Sequence, residues 1–183
     1  MNLVKTIILM LVLLSVTVTS AQCYRGSLEL GFATGATGPH NSQTETSVTS
    51  RFETSVINGL QFNEWLYAGV GVGLQVWQVT HDVSMPVFLS LEGVLNKGAI
   101  SPFTEIRSGY TIALNEVDRL RLDKDGVYFN LSIGFKCKYN DNNAIKFSTG
   151  YLFQVGDITL YELDQHEIQW RMHSLVARVG LEF

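Results

Sequence analysis

The chain has 183 residues, a formal net charge of −4, 16 glycines against three prolines, and two cysteines. Its mild charge gives no electrostatic case for nucleic acid as a partner, and its length is that of one domain. Beyond residue 21 no stretch is apolar for long enough to cross a membrane as a helix, so any crossing must be made by a closed barrel of strands.

Residues 1–21 have the layout of a secretory signal peptide. Lys5 supplies the positive start, Ile7 to Val18 an apolar run broken by Ser15 and Thr17, and Thr19-Ser20-Ala21 a small-residue cleavage site. The run is shorter than the roughly 20 residues of a spanning helix. Cleavage is expected before Gln22, leaving 22–183 as a single domain. Gln22 is too large to precede a lipid-bearing cysteine, so lipidation of Cys23 is not expected. Export would put Cys23 and Cys137 where disulfides are permitted. They fall on the first and sixth predicted strands, however, and bridging needs Cα atoms within about 7 Å. Cys137 therefore reads as a small apolar surface residue.

The rest of the chain, taken in steps of two, divides into eight segments with one apolar and one polar or small face. The first sets Leu28, Leu30 and Phe32 against Arg25, Ser27, Glu29 and Gly31. The second sets Val48, Phe52 and Val56 against Arg51, Glu53 and Ser55, and the third runs Leu66, Ala68, Val70, Val72, Leu74 and Val76 opposite Gly69, Gly71, Gly73 and Gln75. In the fourth, Met85, Val87, Leu89 and Leu91 oppose Phe88, Ser90 and Glu92. The fifth opposes Ile106, Tyr110, Ile112 and Leu114 to Glu105, Arg107 and Gly109. The sixth carries Val127 to Tyr139 in odd steps against Tyr128, Asn130, Ser132, Gly134, Lys136 and Lys138. The seventh carries Ile145 to Val155 against Lys146, Ser148, Gly150, Leu152, Gln154 and Gly156. The eighth carries Leu175, Ala177, Val179, Leu181 and Phe183 against Ser174, Val176, Arg178, Gly180 and Glu182.

Between them, short turn-like gaps near 58–64 (Asn58-Gly59), 95–101 (Asn96-Lys97-Gly98) and 140–143 alternate with longer polar gaps at 34–47, 115–125 and 157–169, with 78–84 intermediate. Short turns at one end and long loops at the other are the habit of transmembrane barrels, and an even strand count puts both termini at the short-turn end. The loop 115–125 mixes charged with apolar residues, a composition able to extend its hairpin beyond the membrane.

Two features turn the barrel inside out. The polar face is rich in glycine and serine at mid-strand, as a narrow lumen crowded with side chains requires. The apolar face carries no mid-strand charge, and one Arg or Lys there would cost roughly 2–4 kcal/mol in a bilayer. Phe32, Tyr110, Tyr139, Phe153 and Phe183 stand toward strand ends on that face, where aromatic girdles sit. The fold expected is all-β: an eight-stranded antiparallel up-and-down transmembrane β-barrel.

With its closing segment Leu175 to Phe183, the chain resembles the small outer-membrane barrels of the OmpX/OmpA-transmembrane-domain type. The segment Trp65 to Gly73, followed by Pro86-Val87-Phe88-Leu89, is similar to porin-family barrel proteins of Bacteroidota. The resemblance implies residence in a Gram-negative outer membrane, among its lipids. It also implies that Leu175, Ala177, Val179, Leu181 and Phe183 form the signal read by the barrel-assembly machinery. It implies little about activity, because the fold hosts unrelated functions.

The inward charges Arg25, Glu29, Arg51, Glu53, Glu92, Glu105, Arg107, Lys136, Lys146, Arg178 and Glu182, with Lys138, are expected to form an interior ionic network. Eight strands leave a lumen just wide enough for side chains to fill, which favours a plugged, non-enzymatic barrel with a structural or interaction role. A narrow porin-like channel is the alternative. An outer-leaflet lipid-modifying enzyme is the second, resting on His40, His81, His166 and His173, all assigned in or next to outer loops, with Ser42, Asp82, Ser84, Asp164 and Ser174 nearby. His166 with Asp164 and Glu167 is too weakly spaced to argue a metal. No catalytic, metal or cofactor site is expected. A protein partner, if there is one, would meet the long loops or join the barrel within the membrane.

Overall fold

The computed structural model describes residues 23–37, 50–78, 82–96, 98–114, 122–140, 143–159 and 167–183. The expected leader, 1–21, lies outside them. Eight strands follow one another: β1 (Cys23–Thr37), β2 (Arg51–Gln61), β3 (Leu66–Trp77), β4 (Val83–Val94), β5 (Ile100–Ala113), β6 (Leu122–Lys138), β7 (Ala144–Thr159) and β8 (Glu167–Glu182). Each pairs antiparallel with the next, and β8 returns to β1 to close the barrel. Two bonds finish the seam: the Gly26 amide donates to the Phe183 carbonyl at 2.8 Å, and the Phe183 amide to the Gly26 carbonyl at 2.9 Å.

The burial is inverted relative to a water-soluble barrel. Leu30, Val70, Leu89, Ile133 and Leu175 are more than half exposed, whereas Glu29, Arg51, Gln75, Arg107, Asn130 and Ser174 are buried. On β3 the apolar outward run from Leu66 to Val76 spans eleven residues, or ten residue steps. At about 3.3 Å per residue and a tilt near 40°, that makes a band roughly 25 Å tall, the height of a bilayer's hydrocarbon zone.

Several boundaries differ from the sequence expectation. Asn58-Gly59 is strand, not turn: Asn58 pairs with Val70, and Gly59 with Gly69. Gly59 is there for close approach, since a Cβ would lie 2.2 Å from the Ala68 carbonyl oxygen. The turn comes at 62–65, where the Asn63 side-chain oxygen accepts from the Trp65 and Leu66 amides at 2.8 and 2.9 Å. The expected long gaps are shorter than they read. β1 runs on to Thr37, β6 begins at Leu122, and the β7–β8 ladder continues to the pair Thr159–Glu167. On β8 the apolar residues change parity at this height, with Met172, Trp170 and Ile168 following the odd-numbered series Leu175 to Phe183, while the backbone ladder continues. Val48 lies outside the described residues.

Strand neighbours approach most closely where glycines face the lumen. A Cβ on Gly109 would lie 2.0 Å from the Val87 carbonyl oxygen, and one on Gly134 would lie 2.1 Å from that of Phe147. These contacts are with backbone, which cannot swing aside. Gly134→Val should therefore cost about 1–3 kcal/mol, read as a lower urea midpoint for loss of the compact, heat-sensitive gel band.

Candidate functional site: the filled lumen

All eleven interior charges expected from the sequence meet inside the barrel, and only Arg25, at the terminus end, has a side chain as much as 23% exposed. Lys138 departs from the expectation: it stands exposed where β6 leaves the barrel. The ties cross the lumen more than they follow the sheet. Arg107 on β5 forms ion pairs with Glu29 on β1, directly opposite, and with Glu105 at 2.8 Å. Arg178 on β8 reaches Glu53 on β2 at 3.1 Å, and Glu53 also holds Arg51 at 3.1 Å and accepts from the Gln75 amide at 3.0 Å.

Two like-charged cross-strand pairs explain the need for these ties. Lys136 stands opposite Lys146 in the β6–β7 register, and Glu92 opposite Glu105 in the β4–β5 register. Like charges directly opposite destabilise a sheet. Closing the barrel brings the pairs face to face across the lumen. Glu92 then forms ion pairs with Lys136 and, at 2.9 Å, with Lys146, while Lys146 also reaches Glu29 at 3.0 Å and Lys136 reaches Glu182. Glu182 in turn pairs with Arg25 at 2.8 Å. The chain of charges runs Arg107–Glu29–Lys146–Glu92–Lys136–Glu182–Arg25, buried throughout except at Arg25.

Packed among the charges is an apolar component, of which the alternation places Phe88, Tyr128, Leu152 and Val176 on this face but does not mark Ala33, Ile57 or Tyr67. Ala33, Ile57, Tyr67, Phe88, Tyr128, Leu152 and Val176 form a buried cluster inside the barrel, with Phe88 and Tyr128 stacked at 5.5 Å. Arg51 lies over Trp77 at 4.7 Å, Arg107 over Phe88 at 5.2 Å, and Lys146 over Phe103 at 5.0 Å. Continuing the two-residue step from Ser55, Gln75, Glu105 and Ser174 would have placed Ile57, Trp77, Phe103 and Met172 inward. That signal was present but was masked by their apolar character, which resembles that of the outer face. Toward the loop end Gln154 reaches across to Thr111 at 2.9 Å and to Gln75 at 3.3 Å, and Trp77 donates to Ser84 at 3.3 Å. Buried side chains thus line the lumen from Arg25 and Glu182 at the terminus end to Gln154 and Trp77 toward the loops.

The remaining candidates are placed as follows. Leu175, Ala177, Val179, Leu181 and Phe183 form the outward face of β8. Cys137 carries a free thiol on β6, with four strands between it and Cys23 in one direction around the barrel and two in the other. His40, His81, His166, Ser42 and Asp164 lie outside the described residues. His173 is not beside a loop but within β8, on its outer face, with its Nδ1 bonded to the Tyr151 hydroxyl. Its neighbour Ser174 is buried on the lumen side, and Ser84 is committed to Gln75 at 3.2 Å. The structure therefore separates His173 from the serines once grouped with it. Among the described residues no cluster of His, Cys, Asp and Glu is arranged to hold a metal ion.

The architecture matches solved membrane barrels. Neisserial surface protein A aligns with a TM-score of 0.62 at 12% identity, over 89% of this chain and 98% of that one. The outer membrane protein OprG from Pseudomonas aeruginosa aligns at 0.54 and 12%, over 90% and 98%. The N-terminal β-barrel domain of Pseudomonas aeruginosa OprF aligns at 0.52 and 13%, over 87% and 97%. No protein-family model and no curated protein matches the sequence. The chain has the fold of the small eight-stranded outer-membrane barrels, and at these identities the likeness is one of fold.

The network predicts a sharp contrast between two substitutions. Glu92→Gln leaves Lys136 and Lys146 buried and facing each other, and should cost about 3–5 kcal/mol. Arg25→Gln, at the partly solvated end, should cost less than about 1 kcal/mol. Urea titration of the two variants in lipid vesicles, followed by tryptophan fluorescence, checks the difference.

Proposed function

We propose that this protein is a non-conducting integral barrel of a bacterial outer membrane, non-enzymatic, with a structural or interaction role. The carrying observation is the combination of a lumen closed by ion pairs and aromatic rings with an outer wall whose apolar band is free of charge. Ions crossing such a lumen would have to displace buried charge pairs, each of which leaves an uncompensated charge when broken. The barrel likeness to Neisserial surface protein A and OprG supports the membrane setting.

The segment 1–21 serves as a cleaved export signal, and the outward residues of β8 ending at Phe183 present the insertion signal to the barrel-assembly machinery. Outer-membrane lipid surrounds the wall. A protein partner, where one exists, meets the loop end or a neighbouring stretch of the wall, and no cofactor is needed.

Planar bilayers with the purified protein should show no unitary conductance above background, and steady, reproducible openings would defeat the plug. In cells the protein should fractionate with the outer membrane and migrate faster on gels when unheated. N-terminal sequencing of that material should begin at Gln22.

A further inference from the structure

The outer wall is uncharged over most of its circumference, with one local exception. Among the outward strand positions with described side chains, basic groups occur only at Arg171 and His173, two residues apart on β8, and no acidic group occurs. They sit at a defined height. Going up β8 from the terminus end, the outward residues Phe183, Leu181, Val179, Ala177 and Leu175 are apolar, and His173 is the next. Ten residues of tilted strand separate His173 from Phe183, so it lies roughly 25 Å above the lower edge, where hydrocarbon gives way to headgroups.

The surroundings are built for an interface. The His173 ring packs against Phe153 at 5.1 Å and Tyr151 at 5.7 Å. The Tyr151 hydroxyl and His173 Nδ1 share a hydrogen bond, and in the tautomer in which the hydroxyl donates, the ring proton sits on Nε2 as a further donor. Arg171 follows one outward step higher, opposite Val155, and is exposed. A guanidinium, an imidazole N–H and aromatic rings at the top of an apolar wall complement one occupant: an acylated lipid whose phosphate meets the basic pair while its chains lie along Leu175 and Val179. Arginine's planar fork suits phosphate in two-point contact. The acidic residues Asp157 and Glu167 of the same two strands stand further out along the ladder.

We propose that Arg171, His173 and Tyr151 form a binding site on the barrel wall for the phosphate of an outer-leaflet lipid. This rests on the outer-membrane reading, which supplies such a lipid on the loop side. Native mass spectrometry of the protein in mild detergent tests it, with diphosphorylated lipid A as the probe and the same lipid stripped of phosphate as the control. The wild-type barrel should retain the phosphorylated lipid about tenfold more strongly, a ratio worth about 1.4 kcal/mol. R171A/H173A should hold both lipids at the level of the stripped one, and millimolar inorganic phosphate should not displace the lipid.

Equal retention of the two lipids by the wild type, or undiminished retention by the variant, would overturn the site. Displacement by inorganic phosphate would reassign it to free anions and overturn the lipid assignment. Gel migration of the same unheated samples separates this from the underlying reading, since a compact band with no phosphate preference refutes only the site. If H173A disturbs folding, R171Q alone, at an exposed position, carries the same comparison.

Discussion

The pairing of β8 with β1 removes every free strand edge, and in hydrocarbon a free edge is what the backbone cannot bear, because its amides and carbonyls would have no water to bond. Closure sets the rest. It turns one face of each strand toward lipid and the other toward an interior too narrow for anything but side chains. The Gly26–Phe183 bonds complete the seam at the terminus end, and the Phe183 ring lies over Gly26, where a Cβ would come within 2.7 Å of it.

Given closure, the interior chemistry is one of mutual dependence. Lys136 and Lys146 repel as sheet neighbours, as do Glu92 and Glu105, and within its own hairpin only Glu105 has a compensating cation, Arg107 on the same strand. The rest of their compensation lies across the lumen, from Glu92 to both lysines, while Arg107, which holds Glu105, also reaches Glu29 on the opposite strand. The network thus belongs to the closed barrel and not to any hairpin. Rings of Trp77, Phe88, Phe103 and Tyr128 fill the space between the charges, so that desolvated cations rest on π faces as well as on carboxylates. An apolar band without charge and a lumen lined with buried charges and rings are two consequences of the same alternation.

Much of this was legible in the residues. β3, from Leu66 to Val76, kept strict alternation because its inner face meets a crowded lumen and its outer face meets lipid. The eleven lumen charges were identified by parity alone. Legibility failed where those constraints lapse. At the far end of the β7–β8 ladder the alternation persists with its parity reversed, Glu167, Gln169 and Arg171 being polar where Leu175 to Phe183 are apolar, so the two-step reading loses its frame there. Asn58-Gly59 carried the composition of a turn, yet Gly59 is required by the approach of Ala68 and Gly69, a demand that exists only once β2 and β3 are in register.

By itself, then, the sequence determined the strand count, the inverted faces and, Lys138 apart, which charges face inward, since a period of two and the cost of charge in hydrocarbon act residue by residue. Only the tertiary structure decided which charges pair, which rings pack against which cations, and that His173 bonds Tyr151 on the outer face. Those outcomes depend on which strands stand opposite one another across a closed barrel. That relation follows from the register of all eight strands together, and no single segment encodes it.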